Sequence, residues 1–164
     1  DAGIHLNLYR DDALYVERVT PECEWYCAQA RIEPRLADDL ERLHDGVTKL
    51  VAIAQPDLLD LHEILLKQSL QGEVYVVRST PRYLEFAAAG TSKAIALREL
   101  AGRLGVADGE IIAFGDADND AQMLEMAGLG VSVGEASLAA RQAADRHAAV
   151  IGLGVAEVLE EVFA

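Results

Sequence analysis

A run of closely spaced polar residues, Gly115-Asp116-Ala117-Asp118-Asn119-Asp120, is the part of this sequence with the clearest capacity for chemistry. It directly follows Ile111–Phe114, an apolar run typical of a buried strand, and a helix-like segment comes after it. In an open α/β sheet, ligands bind at the carboxyl ends of the strands, where this turn would lie. The three neighbouring carboxylates repel one another, and a bound divalent cation would relieve that repulsion. The turn therefore predicts a magnesium-dependent phosphate site.

Two simpler interpretations of the acidic turn need to be weighed. Asp118 or Asn119 could be the N-cap of the following helix, since Asp and Asn are common at such positions. The aspartate spacing also copies the first half of an EF-hand calcium loop, which needs Gly at its sixth position and Glu at its twelfth. Ala121 and Ala127 occupy those positions, so the calcium loop is excluded. The helix cap stays open.

Lys93 is the second residue with a predicted chemical role. It follows Gly90-Thr91-Ser92 at the start of a predicted helix that ends at Leu104, before Gly105. This helix precedes the strand that the acidic turn closes. In a parallel sheet both points lie at the same edge, so the lysine and the carboxylates are expected to meet there. The simpler alternative is an ordinary solvated lysine.

Composition limits the classes of partner. The chain has 164 residues, 51% of them hydrophobic, and only four prolines, so it is globular with a sizeable core; its formal charge is −14. Such an acidic chain is not expected to bind nucleic acid or an anionic membrane surface. A phosphorylated substrate would need a bound cation and a positioned lysine to reverse the field locally.

The sequence shows neither a long apolar run that could cross a membrane nor a signal peptide, and we expect a cytoplasmic protein. Cys23 and Cys27 lie four residues apart without further Cys or His residues at zinc spacing. They are interpreted as small buried residues in a reducing compartment.

The order of predicted elements indicates two regions with a boundary near residues 80–90. The first region mixes hairpins and helices in the manner of an α+β domain, with predicted strands at Ile4–Tyr9, Ala13–Val16, Lys49–Ala54, Val74–Arg78 and Leu84–Ala87, and predicted helices at Pro21–Ala30, Leu36–Leu43 and Pro56–Leu70. The second region alternates strands and helices, which predicts a parallel sheet covered on both faces, with strands at 111–114 and 129–133 and helices at 92–104, around 120–126, from Ser137 and at Val155–Phe163.

Several of these motifs occur together in one known family. The motif that ends in Lys93, followed 22 residues later by the Gly-Asp-x-x-Asn-Asp motif at Gly115, resembles the haloacid dehalogenase superfamily and its Cof-like branch of sugar-phosphate phosphatases. The resemblance covers nearly the whole chain and extends to Thr48-Lys49-Leu50-Val51, Ser79-x-x-Arg82-Tyr83-Leu84-Glu85-Phe86, 127–134 and Ala144-Asp145. His147-Ala148 depart from it, because Val-Thr is usual at that place.

The resemblance implies a fold and an activity. The fold class would be α/β, with residues 88–164 forming the C-terminal half of a Rossmann-like parallel-sheet core and residues 1–87 an inserted α+β cap that sets substrate specificity. The activity would be that of a magnesium-dependent phosphatase acting on a small phosphorylated metabolite, such as a sugar phosphate. The phosphoryl group would pass through an aspartyl-phosphate intermediate before water releases it.

It also implies a role for each residue of the two motifs. Asp116 would be a direct Mg2+ ligand, and Asp120 would bind the ion through water or hold Lys93. Asn119 would donate a hydrogen bond toward the phosphate or orient its neighbours. Lys93 would pair with the nucleophilic carboxylate and the phosphoryl oxygens.

The nucleophile of the family is absent from these residues. It belongs to an Asp-x-Asp-Gly-Thr motif, which occurs nowhere in the sequence, and the chain begins at Asp1 with its only methionines at Met123 and Met126. We expect a fragment whose N-terminal part, roughly 80–100 residues by domain size, carried this motif. Alone, the chain is predicted to be inactive, and its unpaired sheet edge to cause self-association or pairing with the missing segment.

Two alternatives remain open at this point. One is a non-catalytic α/β module that binds a cation, and the other is a phosphomutase or phosphotransferase of the same superfamily. The sequence does not identify the substrate, for which contacts would lie in residues 1–87. Arg10, Arg78 and Arg82 are candidates there, although solvated or salt-bridged surface arginines are the favoured interpretation.

Overall fold

The computed structural model describes residues 3–164, and the chain forms two compact units, Asp1–Ala89 and Gly90–Ala164. The first unit contains a six-stranded sheet of order β3-β2-β1-β4-β6-β5, in which only β2 and β3 run parallel to each other. Its elements are β1 (His5–Arg10), β2 (Ala13–Val16), α1 (Pro21–Ala30), β3 (Arg35–Leu36), β4 (Val47–Ile53), α2 (Pro56–Ser69), β5 (Val74–Thr80) and β6 (Tyr83–Ala88).

Both helices of the first unit bury apolar side chains against its strands. Leu59 of α2 belongs to a core cluster formed with residues of β4, β5 and β6, whereas α1 contributes Cys23 and Cys27 to a cluster with Leu14 and Val16 of β2. The predicted burial of the two cysteines is confirmed, and their sulfur atoms lie 3.9 Å apart. Burial raises the pKa of the Cys27 thiol to about 11, as expected for an unreactive core thiol.

Arg78 is the centre of an ion-pair network in the first unit. Its guanidinium donates to Asp60 Oδ1 at 2.9 Å and to Glu63 Oε2 at 2.7 Å, and Lys67 binds the other oxygen of Glu63 at 2.6 Å. Only 12% of the Arg78 side chain is exposed. The expectation of a salt-bridged arginine is therefore confirmed at this position.

The second unit contains a parallel three-stranded sheet of order β7-β8-β9, so the predicted parallel pairing is confirmed. Its α3 begins after Ser92, whose Oγ accepts from the Ile95 N–H, and ends at Gly105, which adopts a positive φ of 72°. The elements of this unit are α3 (Lys93–Leu104), β7 (Ile112–Gly115), α4 (Ala121–Met126), β8 (Leu129–Val133), α5 (Leu138–Ala143), β9 (Arg146–Ala148) and α6 (Ile151–Phe163).

Two sequence predictions about these elements are wrong. The predicted helix at Leu36–Leu43 is absent, because Leu36 pairs with β2 and the Asp39 side chain caps a single 3-10 turn at Leu40–Arg42. The last helix begins at Ile151 and not at Val155, and the short strands β3 and β9 were not predicted. Among the described residues, no helix has the length and apolar character needed to cross a membrane.

Candidate functional site

The acidic turn lies at the carboxyl end of β7, as the sequence predicts. Gly115 is the last residue of this strand and pairs with Ser132 of the neighbouring parallel strand β8. After it the chain forms a 3-10 turn at Asp118–Asp120 and enters α4 directly. Neither Asp118 nor Asn119 is the N-cap of α4, so the helix-cap interpretation of these two residues is wrong.

Asp120 holds the turn together from inside. It is 3% exposed, and its Oδ2 accepts hydrogen bonds from the backbone N–H groups of Asp116 at 3.0 Å and Ala117 at 3.1 Å. Hydrogen bonds of this kind offset the cost of burying a polar group. Asp120 therefore fixes the backbone that carries Asp116.

Gly115 makes this close packing possible. A Cβ atom at this position would lie 2.4 Å from Cβ of Asp120 and 2.8 Å from its Cγ, far inside van der Waals contact. Any residue other than glycine would displace Asp120 or bend the end of β7. The glycine before the first aspartate is thus a steric requirement of the turn.

Lys93 meets the turn from the first residue of α3. Its Nζ lies 2.5 Å from Oδ1 of Asp120 and 3.5 Å from Oδ1 of Asn119. Half of the Lys93 side chain is exposed, against 5% for Asp120, so the ammonium lies at the outer side of the pair. The contact corresponds to one of the two roles considered for Asp120, that of holding the lysine. It also brings together three of the predicted site residues.

Asp116, the fourth, presents its carboxylate to solvent. Within residues 3–164 this carboxylate has no hydrogen-bond or ion-pair partner, whereas the backbone carbonyl of Asp116 accepts from the Ser137 N–H at 2.8 Å. A free carboxylate is a hard oxygen donor of the kind that Mg2+ prefers, so the residue fits the predicted ion. No group of three or more His, Cys, Asp or Glu side chains in the described residues could enclose a metal. These residues therefore supply a partial ligand set.

A loop after β8 supports the position of Asp116, and sequence reasoning did not assign it this role. Ser137 caps α5 by accepting from the Ala140 N–H at 3.2 Å, and its own N–H binds Asp116. Arg141 donates from Nε to the Ala136 carbonyl at 3.0 Å and steadies the same loop. The helix start at Ser137 was visible in the sequence, but the long-range contact had no sequence signal.

The arrangement combines an exposed carboxylate with an ammonium at the carboxyl edge of a parallel sheet. Lys93 carries a positive charge on a half-exposed side chain, and the exposed carboxylate of Asp116 supplies a negative charge that can attract a cation. Together they provide the two charge types that bind a phosphoryl group and its counterion.

The sequence profile of the haloacid dehalogenase-like hydrolases matches residues 1–159. The chain therefore belongs to this family, and the expected membership, including the Cof-like branch, is confirmed.

Curated relatives carry phosphatase names. The 5-amino-6-(5-phospho-D-ribitylamino)uracil phosphatase YitU of Bacillus subtilis is 43% identical over 81 residues, which cover 49% of this chain and 30% of YitU. The HMP-PP phosphatase of Yersinia pseudotuberculosis is 31% identical over 136 residues, which cover 83% of this chain and 49% of that protein. The chain thus spans between about a third and a half of the length of these relatives.

Solved structures share the fold. TM0651 from Thermotoga maritima superimposes with a TM-score of 0.74 at 34% identity, over 96% of this chain and 60% of that one. A haloacid dehalogenase-like hydrolase from Bacteroides thetaiotaomicron gives a TM-score of 0.78 at 29% identity, over 98% of this chain and 62% of that one. The predicted α/β fold class, with a Rossmann-like core and an α+β cap, is confirmed.

Proposed function

We propose that the protein to which this chain contributes is a magnesium-dependent phosphatase of a small phosphorylated metabolite, such as a sugar phosphate. The observation that carries the proposal is the contact of Lys93 with the buried Asp120, whose other carboxylate oxygen accepts from the backbone N–H of Asp116, a residue exposed to solvent. Phosphatase names among the relatives support the same activity. In this proposal residues 1–87 act as the cap and residues 88–164 as part of the core.

Asp116 would hold the Mg2+ ion through its carboxylate. When bound, the ion would supply Lewis-acid stabilisation of charge on the phosphoryl oxygens. Asp120 has both oxygens engaged, by Lys93 and by two backbone N–H groups. Its role is therefore to position Asp116 and Lys93, and a contact with the ion would have to be made through water.

Lys93 would bind the phosphoryl oxygens and the nucleophilic carboxylate. Its ammonium has three donors, of which Asp120 occupies one at 2.5 Å, so donors remain for a second anion. Asn119 would donate a hydrogen bond from its amide to the phosphate. The residue is half-buried in the turn, and its Oδ1 lies 3.5 Å from Nζ of Lys93. Both residues would stabilise the negative charge on the phosphoryl oxygens during transfer of the phosphoryl group.

The nucleophile would come from residues outside this 164-residue chain. The Asp-x-Asp-Gly-Thr motif is absent from these residues, and Asp116 alone provides too few ligands for an octahedral ion. In this proposal an upstream aspartate accepts the phosphoryl group and water then hydrolyses the acyl phosphate. We also propose a cytoplasmic location for this enzyme.

A phosphatase assay tests the proposal. The 164-residue chain and a longer polypeptide that includes the segment encoded upstream are compared on p-nitrophenyl phosphate and a panel of sugar phosphates, with and without Mg2+. We expect turnover only from the longer polypeptide with Mg2+. Turnover by the short chain would show that the nucleophile lies within it. Inactivity of the longer chain on every ester, despite a folded structure, would favour the cation-binding module.

A further inference from the structure

Helix α2 carries apolar side chains on two sides. Leu59 is 1% exposed and packs into the core of the first unit, whereas Leu61, Ile64 and Leu65 are 67%, 64% and 63% exposed. Residues at positions i, i+3 and i+4 lie side by side on a helix, so these three form one continuous surface, the α2 stripe. Single exposed leucines are ordinary in soluble proteins. A contiguous group on the outer face of a helix indicates a binding surface.

The charges beside the α2 stripe are arranged for self-recognition. Asp60 and Lys67 are one heptad apart and therefore lie on the same flank of the stripe, one toward each end of the helix. Their side chains are 72% and 43% exposed. Asp60 already accepts from Arg78 at 2.9 Å and Lys67 already binds Glu63, but a carboxylate with two oxygens and an ammonium with three donors can each serve a second partner. This flank therefore carries a negative group toward the N-terminal end of α2 and a positive group toward its C-terminal end.

We propose that the α2 stripe binds a second copy of this chain, with the two α2 helices antiparallel about a two-fold axis. In such a pair the same flanks face each other in opposite directions, so each Asp60 meets the partner's Lys67. Antiparallel packing also places the positive dipole end of one helix beside the negative end of the other. The apolar side chains of both copies cover each other between these ion pairs.

The surroundings favour a protein partner over other surfaces. Asp57, Asp60 and Glu63 give this helix an acidic character, and the whole chain carries −14, which disfavours anionic lipid and nucleic acid and also weakens the association of two copies. The α2 stripe alone is smaller than a standard interface of about 1,600 Å², so we expect a weak, concentration-dependent dimer. The proposal does not depend on the phosphatase activity.

Sedimentation velocity of the 164-residue chain over a concentration series tests the surface. Leu61→Glu and Leu65→Glu should each raise the dimer dissociation constant by about tenfold or more, because each change buries two carboxylates in the pair. The matched control is Leu104→Glu on α3, since Leu104 is equally exposed at 69% but lies in the second unit. All three variants should keep their thermal midpoints, because each side chain is largely in solvent.

A charge-swap experiment tests the antiparallel geometry. Asp60→Lys and Lys67→Asp each place like charges opposite each other in a homodimer and should weaken it. An equimolar mixture of the two variants restores both opposite-charge pairs, so it should form heterodimers more tightly than either variant forms homodimers. A monomeric chain at all concentrations, a dimer weakened equally by Leu104→Glu, or a mixture that associates no better than its components would overturn the proposal.

Discussion

The two units of the chain use their charged side chains in different ways. In the first unit, Arg78 is 12% exposed and its donors are taken up by Asp60, Glu63 and the Pro81 carbonyl. In the second unit, Lys93 is half exposed and has one close carboxylate partner, while Asp116 presents its carboxylate to solvent. The first arrangement is closed around Arg78, whose donors are engaged inside the unit, whereas Lys93 and Asp116 of the second have capacity for further ligands.

Whether the charged groups are engaged inside the protein distinguishes a structural ion-pair network from a candidate binding site. The number of charged residues does not distinguish them. Both regions bring several carboxylates and a cation together from separate parts of the sequence. In the first, Nε, Nη1 and Nη2 of the arginine each donate inside the protein, and the bonds to Asp60 and Glu63 join α2 to β5. In the second, Asp120 binds Lys93 and the backbone N–H of Asp116. These contacts fix Asp116, whose carboxylate has no partner in the described residues, at the carboxyl end of β7. Unfilled hydrogen-bonding capacity at a fixed position is the feature expected of a binding site.

The largest expected stability effect concerns the rigidity of the acidic turn. Gly115→Ala should destabilise the second unit by about 2–3 kcal/mol, because the new Cβ would lie 2.4 Å from Cβ of Asp120 and cannot be accommodated without moving β7. Urea unfolding measures the change. Gly102→Ala is the control, since a Cβ there meets nothing within 4 Å and Ala is favoured inside α3, giving a gain of up to about 1 kcal/mol. Equal stability of the two variants would show that the turn is loosely packed.

A smaller effect, of about 1–2 kcal/mol, is expected from Arg78→Met, which removes the centre of the closed network while keeping an apolar stem. The loss should also depend on pH. Burial alone would raise the pKa of Glu63, but Lys67 and Arg78 outweigh it and hold the pKa below its ordinary value of 4.5.

The stability that comes from Glu63 is then fully present above pH 4.5 and is lost as the pH falls through the lower folded-state pKa. Thermal midpoints between about pH 3 and 7 should therefore converge for the parent chain and Arg78→Met at the acid end. Parallel curves over the whole range would contradict a charged network at this position.

The sequence predicted the acidic turn and Lys93 because both depend on local sequence features, namely a strand end, a glycine and a helix start. It did not predict β9, since Arg146–Ala148 is short and mostly exposed and carries no apolar alternation. The helix start at Ile151 was missed because Gly152 and Gly154 argue against a helix. The structure explains Gly154, where a Cβ would lie 2.5 Å from that of Ala148. Long-range contacts of this kind leave no local pattern.

The smallest effect, below about 1 kcal/mol, is expected at His5 of the first unit. Burial lowers its pKa below the ordinary 6.5, although a hydrogen bond with Asn7 partly opposes this. As the pH falls, His5 is protonated in the unfolded chain at a higher pH than in the folded chain. The free energy of unfolding should therefore decrease as the pH drops below 6.5 toward the folded-state pKa of His5. In His5→Gln, the thermal midpoint should depend less on pH between about pH 5 and 7 than in the parent chain. His44→Gln is the control, because that side chain is 77% exposed.

The most direct test of the central claim uses the phosphatase assay on the longer polypeptide, with one substitution in each charged region. Lys93→Met and Asp116→Asn should lower kcat/KM by about a hundredfold or more, because each removes a charge that would face the phosphoryl group. Arg78→Met removes a cation from the closed network and should leave kcat/KM within about twofold at a temperature where it is folded. Equal losses at Arg78 and Lys93, or full activity without Lys93 and Asp116, would contradict the account.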